Sequence, residues 1–229
     1  VSNANRVFIT NRIGDAAFVL GIGLSYAWVE SLNWLDLKAA GDLSRGENTA
    51  IALCFTIAAL VKSAQLPFSP WLSRAMEGPT PSSAAFYGAI MIHSGVYLVI
   101  LLEPLVSHSV LVRVVLILSG LSTALYSYFS GLTQTDVKSS QIFATSGQLG
   151  LMFFECGLNF WQLASWHLCA HAIVRCYLLL TAPSFMHNVK DNPIKPVNPL
   201  LANRRWLFAA SLPRFWVEEV SDWALVKPI

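Results

Sequence analysis

Six apolar stretches, each close to 20 residues long, follow one another between residues 14 and 182 of this 229-residue chain. A helix rising 1.5 Å per residue needs about 20 apolar residues to cross the hydrocarbon core of a bilayer. Only 12% of the residues are charged, about half the share typical of soluble domains. We therefore predict an all-α polytopic membrane protein in a lipid bilayer, with about six transmembrane helices, one of them broken.

The predicted spans divide the chain into three parts. Residues 1–13 are expected at the membrane interface, 14–182 to form the transmembrane domain, and 183–229 to form a proline-punctuated linker and tail. The tail mixes tryptophans with charged residues, which is typical of an amphipathic segment lying in the interface. The spans are predicted over 14–34, 49–66 with a half-helix over 69–77, 82–102, 109–131, 139–158 and 161–182, with a polar loop over 35–48.

Composition and motifs argue against several classes of function. The net charge of +2 comes without any basic run, so no nucleic acid partner is indicated. The sequence has no glycine fingerprint for a nicotinamide or flavin, and we expect no cofactor. The cysteines lie in apolar segments without metal-ligand spacing, so they are interpreted as small buried side chains: Cys54, Cys156, Cys169 and Cys176.

A single lysine, Lys62, stands in the second apolar run shortly before Pro67 and Pro70. A charge at bilayer depth costs about 3 kcal/mol, and such residues commonly mark ion pathways. Proline interrupts a helix, and irregular backbone at membrane depth is tolerated where it lies within protein or lines a wet cavity. We predict a helix broken near residues 65–68 with Lys62 in an ion pathway. The alternative is a lysine that snorkels from a helix end, with Pro67 as the stop.

The sixth stretch carries His167, His171 and Arg175 at four-residue spacing, which places them on one helix face. Imidazole changes charge near neutral pH, so this face suits a proton relay, and we expect it to point to the protein interior. The same spacing suits a metal, but a zinc site needs a third ligand, and Leu168, Cys169 and Ala170 lie between the histidines. We expect no metal site.

Other charged residues have structural interpretations. Arg12 and Asp15 are expected to form an ion pair at a helix N-terminus, where the helix dipole favours a carboxylate. Lys138 follows Asp136 in a short connection and is open to the interpretation of a paired loop lysine. The carboxylates Glu30, Glu103 and Glu155 lie near predicted span ends, so we expect no carboxylate of this chain at the depth of Lys62.

The segment KSAQLPFSPWLSRAMEGPTP, residues 62–81, resembles the signature of the antiporter-like membrane subunits of respiratory complex I. Its letters and spacing are most similar to subunit 5, also called subunit L, and the related Mrp-type antiporters share the pattern. The resemblance covers about residues 3–182. It implies that Pro79 and Pro81 belong with Pro67 and Pro70 to the motif of the broken helix.

The resemblance also implies a proton pathway through buried cations and histidines. The family carries the same two histidines as His167 and His171, followed by a lysine where this chain has Arg175, which holds a fixed charge instead. Lys138 matches the lysine of the family's T-D-x-K motif, and Tyr87 stands where the family has a histidine. The implied pathway residues are Lys62, Tyr87, His93, Lys138, His167, His171 and Arg175.

The implied function is proton translocation by a membrane subunit of a complex I-like NADH–quinone oxidoreductase, with the redox chemistry in other subunits. Such a subunit would lie in a bacterial cytoplasmic membrane or a mitochondrial inner membrane. Its expected partners are other membrane subunits and a further chain that supplies the family's remaining helices. The alternatives are a subunit of a non-redox cation/proton antiporter or inorganic-carbon uptake complex, and a truncated membrane scaffold that does not conduct.

Overall fold

The computed structural model describes residues 2–31, 33–39, 43–74, 90–134, 137–181 and 198–226. Every regular element within these residues is helical, which confirms the predicted all-α class. Short 3₁₀ turns cover Met91–His93 and Arg214–Trp216, and a π turn covers Asp222–Val226. The α-helices are α1 Ser2–Val29, α2 Trp34–Ala39, α3 Arg45–Lys62, α4 Pro70–Arg74, α5 Ser94–Leu101, α6 Glu103–Ser107, α7 Val110–Leu132, α8 Val137–Gly157, α9 Trp161–Leu180, α10 Pro199–Ala202, α11 Arg205–Ser211 and α12 Val217–Ser221.

Three of the described helices are long and apolar enough to cross a bilayer. They cover Asn3–Val29, Val110–Leu132 and Trp161–Leu180, with mean hydropathies of 1.4, 1.8 and 1.3. Helices α3 and α8 reach 18 and 21 residues, but they carry more polar side chains. The third predicted span is described only from residue 90 onward, where a shorter apolar helix runs to Leu101.

The first helix differs in its bounds from the first predicted span. Helix α1 covers Ser2–Val29, and it passes the predicted boundary at residue 13 without interruption because residues 2–13 contain neither proline nor glycine. It ends at Val29, before Glu30 adopts a left-handed φ of 57°. The predicted loop over 35–48 instead contains α2 and the start of α3. Whether residues 2–13 lie at the membrane interface stays a prediction.

Helix α3 begins with a reciprocal cap that was not predicted from the sequence. The backbone N–H of Ser44 donates to Glu47 Oε2 at 2.8 Å, and the N–H of Glu47 donates to Ser44 Oγ at 3.3 Å. This capping box satisfies backbone donors that the first helical turn leaves without partners. The serine and glutamate three residues apart therefore explain why the helix starts four residues before the predicted span.

The second predicted span is broken after Lys62, in agreement with the predicted fold class, in which one helix is broken. Helix α3 ends at Lys62, Ala64 has a left-handed φ of 51°, and helical structure resumes at Pro70. Two side chains bind backbone groups at the break. Thr123 Oγ1 of α7 accepts the N–H of Leu66 at 2.9 Å, and the Trp71 indole donates to the carbonyl of Val61 at 2.9 Å. Side chains of α4 and α7 therefore hold the backbone on either side of the break.

Close backbone contact sets the spacing of α7 and α8. At their crossing, a Cβ atom built on Gly150 would lie 2.6 Å from the carbonyl oxygen of Gly120 and 3.0 Å from the nitrogen of Ala124. Only glycine allows two helices to approach so closely, since any side chain would meet the facing backbone. This approach fixes one side of α8 and leaves its opposite side for α9.

The described tail packs onto the same end of the bundle as the start of α1. Arg6 of α1 forms an ion pair with Asp222, and Thr133 Oγ1 donates to the carbonyl of Ser211 at 3.2 Å. Phe215 also packs edge-on against Tyr126 of α7, with ring centroids 6.3 Å apart. The amphipathic segment was predicted to lie at the interface or on a partner; in the structure it makes contacts within its own chain.

Candidate functional site

Two rows of polar side chains face each other between α8 and α9. The row on α8 repeats every seven residues and the row on α9 every four, and either spacing keeps side chains near one helix face. The two helices form an antiparallel hairpin, so the start of one row meets the end of the other. With His93, these side chains are called here the histidine cluster: His93, Gln141, Gln148, Glu155, His167, His171 and Arg175.

One half of the cluster joins three elements through Arg175. Its Nε donates to His171 Nε2 at 3.0 Å, and one terminal nitrogen donates to Gln141 Oε1 at 2.7 Å. His171 Nδ1 in turn lies 2.9 Å from Nε2 of His93, at the end of the 3₁₀ turn that precedes α5. The Arg175 guanidinium therefore connects α9 to α8 directly and to the third predicted span through His171.

The hydrogen bonds assign the proton positions in this half. A guanidinium only donates, so Nε2 of His171 must accept and its ring carries its proton on Nδ1. That proton is donated to Nε2 of His93, which then keeps its own proton on Nδ1. Nδ1 of His93 is buried and has no hydrogen-bond partner among the described residues. Two neutral imidazoles thus form a directed chain that starts at a fixed positive charge.

The other half of the cluster surrounds His167. Its Nδ1 lies 2.9 Å from Glu155 Oε1, and its Nε2 lies 3.0 Å from Gln148 Oε1. The ring of His167 meets the ring of His171 edge to face with 6.1 Å between centroids, and no hydrogen bond joins the two rings. A proton passing between the halves must therefore cross one helical turn.

The cluster lies within the protein. The exposed fraction is 3% for His93 and 8% for His171, and His167 and Arg175 are half-buried. All three predicted residues of α9 thus turn toward neighbouring helices of the chain. Between helices, these polar side chains have hydrogen-bond partners that the hydrocarbon of a bilayer cannot provide.

Lys62 lies apart from the histidine cluster. Its side chain is half-buried at the last residue of α3, and in the described ranges its ammonium has no hydrogen bond or ion pair. The break nevertheless adjoins the segment of His93, because Ser63 Oγ donates to the carbonyl of Ile92 at 2.6 Å. Next to it, Gln65 is fully buried, and its Oε1 has no partner in the same ranges.

The comparisons with known proteins identify the family. A family model described as "NADH:quinone oxidoreductase/Mrp antiporter, TM" matches residues 1–211. The chain belongs to this family. The resemblance seen in residues 62–81 is therefore confirmed, and the helical fold is that of an antiporter-like membrane protein.

Relatives in this family are a little more than a third identical to the chain over the aligned residues. Proteins named NADH-ubiquinone oxidoreductase chain 5 are 36% identical over 204 residues in Trichophyton rubrum and 39% identical over 189 residues in Cryphonectria parasitica. These matches cover 84% and 81% of this chain, but only 31% and 28% of the relatives. The chain thus spans less than a third of the length of these relatives.

A solved structure supports the same fold. A chain in the Mrp complex from Dietzia sp. DQ12-45-1b superposes with a TM-score of 0.71 at 24% identity. The match covers 79% of this chain and 20% of that chain, and at this identity it shows the fold alone.

The remaining predicted site residues have separate locations. Pro67 lies in the segment between α3 and α4, and Pro70 is the first residue of α4. Arg12 pairs with Asp15 at 2.5 Å within α1. That pair lies in the middle of α1, because the helix starts earlier than predicted. Tyr87, Pro79 and Pro81 lie outside the described residues, and Lys138 is the second residue of α8, with its side chain outside the described part. Their assignment to the family's pathway stays a prediction.

The α8 side of the cluster was not predicted from the sequence. Glu155 was placed at a span end, yet its carboxylate contacts a ring six residues inside α9. The overlooked signal was the spacing of Gln141, Gln148 and Glu155, which puts three polar residues on one face of a predicted span. Polar residues repeated on one face inside a membrane helix indicate a buried polar partner.

Proposed function

We propose that the chain is a proton-translocating membrane subunit of a complex I-like NADH–quinone oxidoreductase. The observation that carries the proposal is the histidine cluster, a buried and hydrogen-bonded set of titratable side chains between helices of a membrane protein. Buried ionisable groups inside a bilayer are expensive and typically serve ion transfer. The relatives' name, NADH-ubiquinone oxidoreductase chain 5, supports the same assignment.

Each residue has a proposed role. Lys62 at the helix break is the cation that gains and releases a proton, and His167 and His171 relay protons along α9. Arg175 holds a fixed charge because arginine stays protonated in proteins. His93 extends the relay to the third span through its bond to His171. Lys138 and Tyr87 are proposed to extend the pathway on the basis of the family motif.

The proposed partners are the other membrane subunits of a multi-subunit complex. The redox chemistry would take place in other subunits, because the motifs of a nicotinamide or flavin site are lacking in this sequence. The proposed location is a mitochondrial inner membrane or a bacterial cytoplasmic membrane.

A second candidate is a subunit of a cation/proton antiporter without redox chemistry, which the fold of the Mrp complex favours. Both functions would use the same pathway and differ in what drives it. In vesicles that contain the assembled complex, proton uptake driven by NADH oxidation supports the first function. Uptake driven by an opposing sodium gradient supports the second, and an assembled complex that moves no protons under either condition is a scaffold.

The test of the pathway is Lys62→Met, with assembly of the complex checked first. Proton transport should fall by about tenfold or more, because a positioned proton-transfer group typically contributes at least that factor. Arg45→Met is the matched control, since Arg45 is an exposed cation at the other end of α3. Undiminished transport in the assembled Lys62→Met complex would reduce Lys62 to a snorkelling lysine and remove it from the pathway.

A further inference from the structure

We propose that Glu155 is a proton-carrying residue that exchanges a proton with His167. The inference rests on the proposed function and adds a residue that the family resemblance does not assign. The Glu155 side chain is 15% exposed and the His167 side chain 22%, and their contact atoms are 2.9 Å apart. His167 lies six residues past the start of α9, about 9 Å along the helix. The carboxylate therefore reaches inside the helical bundle.

The surroundings of His167 make the exchange possible. Both ring nitrogens face side-chain oxygens, Glu155 Oε1 on one side and Gln148 Oε1 on the other. A ring that donates to two acceptors is an imidazolium, and Glu155 is then its carboxylate partner. Turning the Gln148 amide by half a rotation presents its NH₂ to Nε2 and suits the neutral ring equally well. One amide thus accommodates both protonation states of His167.

The proton transfer between the two groups is balanced. When the proton on Nδ1 of His167 moves to Glu155 Oε1, imidazolium and carboxylate become imidazole and carboxylic acid. The pair has zero net charge before and after the step, so the transfer adds no net charge to the low-dielectric interior. A transfer with this property avoids most of the cost that a bilayer imposes on a lone ion.

The second carboxylate oxygen provides the other end of the path. Glu155 Oε2 is buried and has no hydrogen-bond partner in the described part of the chain. A carboxylate with a purely structural role usually has both oxygens satisfied, because an unpaired buried acceptor costs about 1–3 kcal/mol. The free oxygen is the position at which Glu155 takes up or releases a proton on the side away from His167.

The charge balance of the cluster supports the same role. Arg175 supplies one fixed positive charge, and it lies eight residues from His167, about 12 Å along α9. Among the described residues, Glu155 is the carboxylate that contacts a histidine of the cluster. When His167 is neutral, ionised Glu155 balances Arg175. When both members of the pair carry a charge, the excess is a single positive charge, which is the transported proton.

The test compares Glu155→Gln, Glu155→Asp and the control Glu103→Gln in vesicles containing the assembled complex. Glutamine keeps the shape and the acceptor oxygen of glutamate, so a structural contact with His167 survives while the exchangeable proton is lost. We expect Glu155→Gln to assemble and its proton transport to fall by about tenfold or more. Glu155→Asp should retain more transport than Glu155→Gln, and the control, an exposed carboxylate at the start of α6, should match the parent.

Infrared difference spectra between two pH values provide the second readout. The parent should show a carboxyl stretch that changes with protonation, and Glu155→Gln should lack it. If Glu155→Gln does not assemble, Glu155→Asp decides: its carboxyl band should be shifted from that of the parent, and an unchanged spectrum overturns the proposal.

The outcomes separate this inference from the proposed function. Parent-level transport in assembled Glu155→Gln, with transport lost in Lys62→Met, overturns the role of Glu155 alone. Parent-level transport in both variants overturns the proposed pathway and the role of Glu155 together. Loss of transport in Glu155→Gln with loss of the carboxyl band supports the exchange with His167.

Discussion

Replacing Gly150 by alanine should weaken the packing that positions the α8 side of the histidine cluster. Alanine in a helix interior is favoured over glycine by about 1 kcal/mol. Against this gain, the new Cβ would lie 2.6 Å from the Gly120 oxygen, where an ordinary contact is at least 3.4 Å. The backbones would have to separate by about 0.8 Å, and such overpacking costs about 1–3 kcal/mol. We expect the free energy of unfolding to fall by about 1 kcal/mol.

Gly23→Ala provides a control for which the free energy of unfolding should change in the opposite direction. It lies inside α1, and a Cβ built there meets nothing within 4 Å. Gly23→Ala should therefore raise the free energy of unfolding by up to about 1 kcal/mol through helix propensity alone. Unfolding of each purified variant in detergent, followed by circular dichroism, measures the difference. If Gly150→Ala were stabilised as much as Gly23→Ala, the close approach of α7 and α8 would not limit packing.

Two smaller substitutions test the elements around the helix break. Thr123→Val removes the oxygen that accepts the N–H of Leu66. The melting temperature in detergent should therefore fall by an amount equivalent to about 1–3 kcal/mol in the free energy of unfolding. The control Ser122→Val, on the exposed face of α7, should have little effect. Ser44→Ala removes half of the capping box with Glu47 and should lower the free energy of unfolding by about 1 kcal/mol. Slower hydrogen exchange in the first turn of α3 than in the parent would contradict this.

The broken helix could be predicted from sequence because its causes are local. Pro67 and Pro70 interrupt a helix, and Lys62 places a charged residue in an apolar run just before them. The partners that stabilise the break could not be predicted in the same way. Thr123 lies 57 residues from Leu66, and no local pattern connects them.

The α9 side of the histidine cluster could be predicted from the sequence, but its partners on other helices could not. The four-residue spacing of His167, His171 and Arg175 indicated one polar face, but it did not indicate which helix this face meets. The contact of His171 with His93, 78 residues away, depends on how three helices pack. The contact of Glu155 with His167 was not predicted, because Glu155 was considered along its own helix alone, whereas its side chain reaches the neighbouring helix.

The hairpin of α8 and α9 has a consequence for biosynthesis. Glu155 and His167 are 12 residues apart, and Gln141 and Arg175 are 34 apart, so both contacts form within one short stretch of nascent chain. A charged residue at the centre of a lone inserting helix costs about 2.5–3.5 kcal/mol. If the two helices leave the translocon together, Arg175 and Glu155 enter lipid with partners already bound. The order of synthesis then lowers the free-energy cost of inserting these helices. The hydrogen bond between His171 and His93 forms later, when the hairpin packs against the helices made before it.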